Sequence, residues 1–213
     1  MTRPLLLGHR GARAVKSVPE NTIASFDRAL ADGCDGFEFD VRLTADGQPV
    51  VCHDPNVGDF EINHTAAPRL PALPRLHEVV ERYRSAFLDV ELKVPGLEKF
   101  VIEALRARQS RRFVVSSFLP EVLEALHAAD PTVPLGLICE TKAQFLRWNH
   151  LPVEYVVVQR KLAARKLLRD LPAAGRKVLV WTVNASVEMK QFAAWGVDGI
   201  ISDNPKLLSA TLR

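Results

Sequence analysis

Cysteine is scarce in this chain: 213 residues hold three, Cys34, Cys52 and Cys139, with no C-x-x-C pair. Three thiols cannot all pair with one another, and their spacing excludes a disulfide framework and a thiolate zinc site. A reducing compartment suits them. Long apolar runs are missing too. Leu5-Leu6-Leu7 is too short for the core of a signal peptide, and no later stretch approaches a membrane span. Nor is there a block of like charge. With 28 Lys+Arg against 25 Asp+Glu, the net charge of +3 gives no footing for nucleic-acid binding. These absences predict a soluble, cytoplasmic protein with no nucleic-acid partner and no stable membrane insertion. They leave the oligomeric state open.

What is present is ordinary in bulk and informative in order. Hydrophobic residues make up 47% and charged residues 25%, which excludes a disordered chain and a coiled-coil rod. The length favours a single domain, residues 1–213, with a sizeable core. Short apolar runs predict strands at Leu5–His9, Gly36–Val41, Phe87–Lys93, Phe113–Ser117, Leu135–Cys139, Tyr155–Gln159, Val178–Val183 and Gly199–Ser202. Amphipathic segments between them predict helices near Thr22–Asp32, Leu76–Arg84, Leu97–Arg108 and Pro120–Ala129. Four more follow near Lys142–Trp148, Leu162–Leu171, Val187–Trp195 and Pro205–Leu212.

Strand–helix alternation from end to end implies parallel strands joined by crossover helices. Eight of each predict an α/β fold of the (β/α)8 TIM-barrel type. A doubly wound open sheet is the alternative, because periodicity alone does not say whether the sheet closes. One stretch breaks the rhythm. Asp54–Pro74 carries Pro55, Pro68, Pro71 and Pro74, has no clear period, and follows the strand-like Pro49–His53. A long irregular connection inside a compact domain is usually functional or mobile.

The informative residues are charges inside strand patterns. Glu38 and Asp40 stand two apart in Gly36-Phe37-Glu38-Phe39-Asp40-Val41, so they share one face of a strand. The same holds for Asp89, Glu91 and Lys93. Buried carboxylates are costly unless paired or bound to a cation, and strand ends at the mouth of a barrel are where active sites are built. Glu38, Asp40 and Glu91 together would make an all-oxygen, trianionic pocket, which suits Mg²⁺ or Ca²⁺ better than zinc. The bland alternative is that these carboxylates form salt bridges with Arg10, Arg42 or Lys93. Two histidines, His9 and His53, end strand-like runs beside this pocket and have the chemistry of a general acid and base. His64, His77, His127 and His150 lie in loops or helical patterns and carry no such reading.

These residues fall within a longer ordered set: His9-Arg10-Gly11, Pro19-Glu20-Asn21-Thr22, Glu38-x-Asp40-Val41, His53-Asp54, Glu91-Leu92-Lys93, Val180-Trp181-Thr182-Val183-Asn184 and Asp198-Gly199-Ile200-Ile201-Ser202-Asp203-Asn204-Pro205. The set resembles the glycerophosphodiester phosphodiesterase family, in the family's order and over essentially the whole chain. The resemblance implies a TIM-type barrel that hydrolyses a small-molecule phosphodiester, releasing glycerol 3-phosphate and an alcohol. It implies that Glu38, Asp40 and Glu91 hold a divalent metal, Mg²⁺ or Ca²⁺, and that His9 and His53 are the acid/base pair. Arg10 and Lys93 would bind the phosphate, and Trp181 would line the substrate cleft.

Several pieces have plainer readings as well. Ser17-x-x-Glu20 reads as a capping box, Asn21 as a competing N-cap, and Asp203-Asn204-Pro205 as a turn and cap. Trp181 reads equally as barrel packing. Lys161, Arg165 and Arg169 read as a solvated helical stripe. The chain also departs from the family pattern. His53 and Glu91 are close in sequence, and an Arg-Thr-Thr stretch expected after the histidine is replaced by Asn56-Val57-Gly58-Asp59-Phe60-Glu61. This predicts a trimmed insertion at about 54–75, with substrate range altered more than chemistry. A lysophospholipase D-like activity, drawing on an apolar patch with Phe60 and Ile62, is one alternative. A catalytically silent barrel that binds phosphorylated metabolites is another.

Overall fold

The computed structural model describes residues 3–106, 108 and 110–213. Its framework is eight parallel strands closed into a ring. In chain order the strands are β1 (Leu5–Gly8), β2 (Gly36–Leu43), β3 (Pro49–Val51), β4 (Asn56–Val57), β5 (Phe60–Glu61) and β6 (Phe87–Leu92). There follow β7 (Phe113–Ser117), β8 (Leu135–Cys139), β9 (Tyr155–Gln159), β10 (Lys177–Trp181) and β11 (Gly199–Ser202). The ring runs β1-β11-β10-β9-β8-β7-β6-β2, and pairing of β1 with β2 closes it. The fold is therefore the (β/α)8 barrel and not the open sheet. The helices α1 (Ile23–Ala31), α2 (Leu76–Arg82), α3 (Glu98–Arg106), α4 (Pro120–Ala129), α5 (Lys142–Phe145), α6 (Arg165–Ala173), α7 (Ser186–Ala194) and α8 (Pro205–Leu212) surround it.

Period-2 alternation sorts the strand residues into two apolar layers. One layer fills the barrel with Leu7, Phe87, Val114, Ile138, Val157, Leu179 and Ile201 among others. The other packs the outer faces of the strands, through Leu6, Phe37, Phe39, Val41 and Val90, against the helices. An aromatic cluster anchors this second layer beside β2. Phe26 of α1 stacks on Phe37 at 4.2 Å between ring centroids, and Tyr83 meets Phe37 edge-on at 4.9 Å.

Several boundaries differ from the sequence expectations for local reasons. Helix α1 is capped by Thr22, whose side chain accepts the Ser25 N–H, and neither a Ser17–Glu20 box nor Asn21 caps it. Helix α3 ends at Arg106, and Ala107, within the helix expected at Leu97–Arg108, lies outside the described residues. Arg108 turns inward instead, donating to the carbonyls of Tyr83, Arg84 and Ala86 beneath β6. Lys161 precedes α6, so the Lys161–Arg165–Arg169 stripe does not lie on one helix. The segment expected to be irregular contains the β4–β5 hairpin and two short 3-10 turns, Ile62–His64 and Ala67–Arg69. The strand before it, β3, runs antiparallel to β2 and is a spur on the barrel, not one of its staves.

Gly36 opens β2 where no side chain fits: a Cβ there would collide with the Phe87 carbonyl of the neighbouring strand. Gly36→Ala is expected to lower unfolding free energy by about 1–3 kcal/mol, as overpacking does. Chemical denaturation measures this, and unchanged stability would contradict the close β2–β6 approach.

Candidate active site

The site begins with the alternation of β2. Phe37, Phe39 and Val41 belong to the outer core, so Glu38 and Asp40 must point into the barrel. The parallel register sets Glu38 against Asp89 and Asp40 against Glu91, which brings carboxylates from two strands together. Glu38, Asp40 and Glu91 are buried and each offers an oxygen within 4.8 Å of the others. Burial, with the neighbouring carboxylates adding to it, holds Glu38 well above the usual carboxylate range. The same causes push Glu91 up to about 7. Asp89, deeper and hydrogen-bonded by Ser116 Oγ at 2.6 Å, is also pushed by burial to about 7.

Cations from two directions answer part of this charge. Lys93 Nζ lies 2.6 Å from Glu91 Oε1 and 3.4 Å from Asp40 Oδ1, and burial, which opposes its charge, is outweighed by these carboxylates. Arg10 Nε lies 3.4 Å from Asp40 Oδ2, and its Nη1 donates to Glu20 Oε1 at 2.7 Å. Arg42 takes no part: it donates to the His53 carbonyl. The bland alternative is thus half right, since salt bridges form, yet they do not satisfy the cluster. Glu38 Oε1 and Asp40 Oδ1 are buried and have no hydrogen-bond partner among the described residues.

The loop after β1 is built around the same carboxylates. Arg10 and Asn21 both adopt left-handed backbone, φ +49° and +58°. This is an uncommon conformation for arginine and a tolerated one for asparagine. It lets the Arg10 N–H donate to Glu38 Oε2 at 2.9 Å, while Asn21 Nδ2 donates to Asp40 Oδ2 at 2.8 Å. Asn21 therefore orients a carboxylate of the cluster. Glu20 receives both Arg10 and Arg13.

Each histidine is held by a carboxylate through Nδ1. His9 Nδ1 is 2.7 Å from Asp203 Oδ1, and His53 Nδ1 is 2.7 Å from Asp54 Oδ1. Burial disfavours charge on Asp203, but the His9 and Asn184 contacts outweigh it and hold this carboxyl at about 2. An ionised carboxylate only accepts, so Nδ1 donates and Nε2 is the free proton-transfer atom. His9 Nε2 lies 3.9 Å from Glu38 Oε2. Burial moves His53 below its ordinary range, towards the neutral base.

These groups meet in one cleft of about 210 Å³ at the C-terminal mouth, lined by His9, Arg10, Glu38, His53, Lys93 and Trp181 together with Glu91. A larger groove of about 450 Å³, between α2 and α3 on the outside, holds none of the predicted site residues. Trp181 is half-buried: its Nε1 donates to the Val157 carbonyl at 3.2 Å, and the residue lines the cleft. Asp203, Asp54, Phe118 and Glu140 were not assigned to the site from sequence. For Asp203 the available signal was its place directly after β11, at the mouth; Asn204 alone caps α8.

The donor set fits a hard divalent cation. It is all oxygen and anionic, and two of its buried oxygens accept no hydrogen bond among the described residues. Without a cation the cluster opposes folding as it ionises. The raised carboxyls bind protons more tightly folded than unfolded, so their contribution is complete below the ordinary range, about 4, and is lost as pH rises to about 7. In EDTA, the melting temperature of the wild type is expected to fall across that window relative to Glu38→Gln. Mg²⁺ or Ca²⁺ at about a hundred times Kd should restore about 2.7 kcal/mol to the wild type and nothing comparable to the variant. Thermal melts at several pH values test this; a cation-induced shift equal in both proteins would remove Glu38 from the cluster.

Comparison with known proteins matches nearly the whole chain. The sequence model of the Glycerophosphoryl diester phosphodiesterase family matches residues 9–71 and 61–207. The glycerophosphodiester phosphodiesterase of Caldanaerobacter subterraneus subsp. tengcongensis is 29% identical over 248 aligned positions, which take in 99% of this chain and 98% of the relative. The structure of an Oleispira antarctica phosphodiesterase in complex with the product sn-glycerol-3-phosphate superposes with a TM-score of 0.85 at 27% identity. That alignment covers 98% of this chain and 96% of the other. The Thermotoga maritima glycerophosphodiester phosphodiesterase structure shares the fold, with a TM-score of 0.84 at 24% identity and 97% of each chain covered. With both halves of the barrel matched, this chain belongs to the Glycerophosphoryl diester phosphodiesterase family and is a phosphodiester-hydrolysing enzyme.

Proposed function

We propose that the chain hydrolyses glycerophosphodiesters to glycerol 3-phosphate and an alcohol with a divalent cation, using His9 and His53 as general acid and base. The observation that carries this reading is the clustering of Glu38, Asp40 and Glu91 beside a cleft lined by two histidines, each held at Nδ1 by a carboxylate and with no hydrogen bond at Nε2 among the described residues. Glu38, Asp40 and Glu91 would hold Mg²⁺ or Ca²⁺, which supplies Lewis acidity for the charge that builds on the phosphoryl oxygens. Arg10 and Lys93, the mouth's fixed cations, bind the diester's own negative charge. One imidazole takes the proton of the attacking hydroxyl at Nε2, and the other delivers a proton to the departing alkoxide. Asp203 and Asp54 keep each ring in the tautomer this requires. Trp181 forms the wall of the substrate cleft.

We read the chain as one domain with the family's insertion trimmed at about 54–75. The family match divides into two pieces that overlap at 61–71, and 248 aligned positions are needed to span 99% of a 213-residue chain. The lysophospholipase D-like alternative loses support, because Ile62 is 1% exposed and contributes to no surface patch. A silent binder has no use for two carboxylate-held histidines. Unpaired cysteines, two of them buried, fit a cytoplasmic enzyme, and no helix among the described residues is long and apolar enough to cross a membrane.

Release of glycerol 3-phosphate from glycerophosphocholine, assayed with EDTA and then with added Mg²⁺ or Ca²⁺, is expected only with the cation. Glu91→Gln should abolish the cation-supported rate, and His9→Ala and His53→Ala should each reduce it by about 10²-fold or more. Turnover that survives EDTA, or near-native rates in either histidine variant, would overturn the assigned roles.

A further inference from the structure

The wall across the cleft from the carboxylates has a different chemistry. In the closed ring β9 is the strand farthest from β2 in either direction, and β8 and β10 flank it. Trp181 ends β10, Glu140 follows β8 and Phe118 follows β7, and all three line the cleft together with Arg10 and Lys93. The two rings are fixed. Trp181 donates to Val157, and Phe118 meets it edge-to-face with centroids 5.9 Å apart. Phe118 already attracts one cation, since Lys93 Nζ lies 5.9 Å from its ring centre.

Glu140 completes this wall with a charge. Its carboxylate is exposed and forms no salt bridge with any described residue. The turn that carries it is pinned, because Gln144 Oε1 accepts the backbone N–H groups of both Glu140 and Thr141 at 2.9 Å. Arg10 and Lys93 thus stand among the clustered carboxylates on one side of the cleft, while Glu140 and Trp181 stand away from that cluster, with Phe118 between them and Lys93.

We propose that Glu140, Trp181 and Phe118 form a subsite for a cationic leaving alcohol, selecting glycerophosphodiesters whose alcohol carries an ammonium or quaternary ammonium group. The inference rests on the phosphodiesterase reading above and names the substrate class within it. Aromatic faces attract such cations, and a carboxylate beside them adds to the attraction. A neutral alcohol forgoes both interactions and an anionic one is repelled, so the wall discriminates by what it rejects as well as by what it holds.

The test compares kcat/KM on glycerophosphocholine, glycerophosphoethanolamine and glycerophosphoglycerol for the wild type, Glu140→Gln and Glu140→Lys. The wild type should prefer the two cationic esters. The ratio of glycerophosphocholine to glycerophosphoglycerol should fall about tenfold in Glu140→Gln and further in Glu140→Lys. A ratio taken within one preparation cancels any inactive fraction. A wild type that hydrolyses all three esters without preference overturns this inference alone, as does a ratio that neither substitution moves. A wild type that hydrolyses none of them with any divalent cation overturns the phosphodiesterase reading, and the subsite with it.

Discussion

Three carboxylates buried side by side repel one another, and the mouth of the barrel is arranged around that cost. Glu38, Asp40 and Glu91 have charge partners in Lys93 and Arg10, a backbone donor in Arg10 and a side-chain donor in Asn21. These contacts leave two buried oxygens, Glu38 Oε1 and Asp40 Oδ1, without a hydrogen bond among the described residues. Replacing such a cluster with apolar residues would stabilise the fold, so its place in the core marks function. On the function proposed above, a divalent cation held by the three carboxylates would offset that cost.

The rest of the architecture follows from keeping those groups in place. Phe37 and Phe39 commit one face of β2 to the outer aromatic cluster, so no register slip can move Glu38 and Asp40 to the helix layer without exposing the phenyl rings to the barrel interior. An apolar plug of Leu7, Val114, Ile138, Val157 and Ile201 fills the barrel and leaves the polar chemistry at the mouth. The loop after β1 accepts left-handed backbone at Arg10 and Asn21 to aim one N–H and one amide at the carboxylates. Local strain of this kind collects where function requires a fixed geometry.

Much of this was legible in the sequence, because strand periodicity is local. The bounds expected for β7, β8, β9 and β11 are those observed, and the paired carboxylates in β2 and β6 announced their shared face by spacing alone. What escaped depends on contacts made when the ring closes. Asp203 lies 194 positions from the His9 it orients, and its place directly after β11 puts it at the mouth without naming that partner. Asn21 looked like a helix cap because its local pattern is that of a cap; only the approach of β2 turns its amide toward Asp40. His53 follows a strand-like run whose direction its few residues do not reveal, and β3 proves antiparallel to β2. Glu140 and Phe118 follow ordinary strands, and their common wall exists only once β7, β8 and β10 curve around one cleft.

The claim at the centre is that Glu38, Asp40 and Glu91 are jointly the ligands of one cation. Anomalous diffraction from crystals soaked in Mn²⁺, a scatterer that accepts the same oxygen ligands, addresses it directly. A single peak in contact with all three carboxylates is the expected result. A mouth in which Lys93 keeps its place between Glu91 and Asp40, with no peak beside them at saturating Mn²⁺, would contradict it.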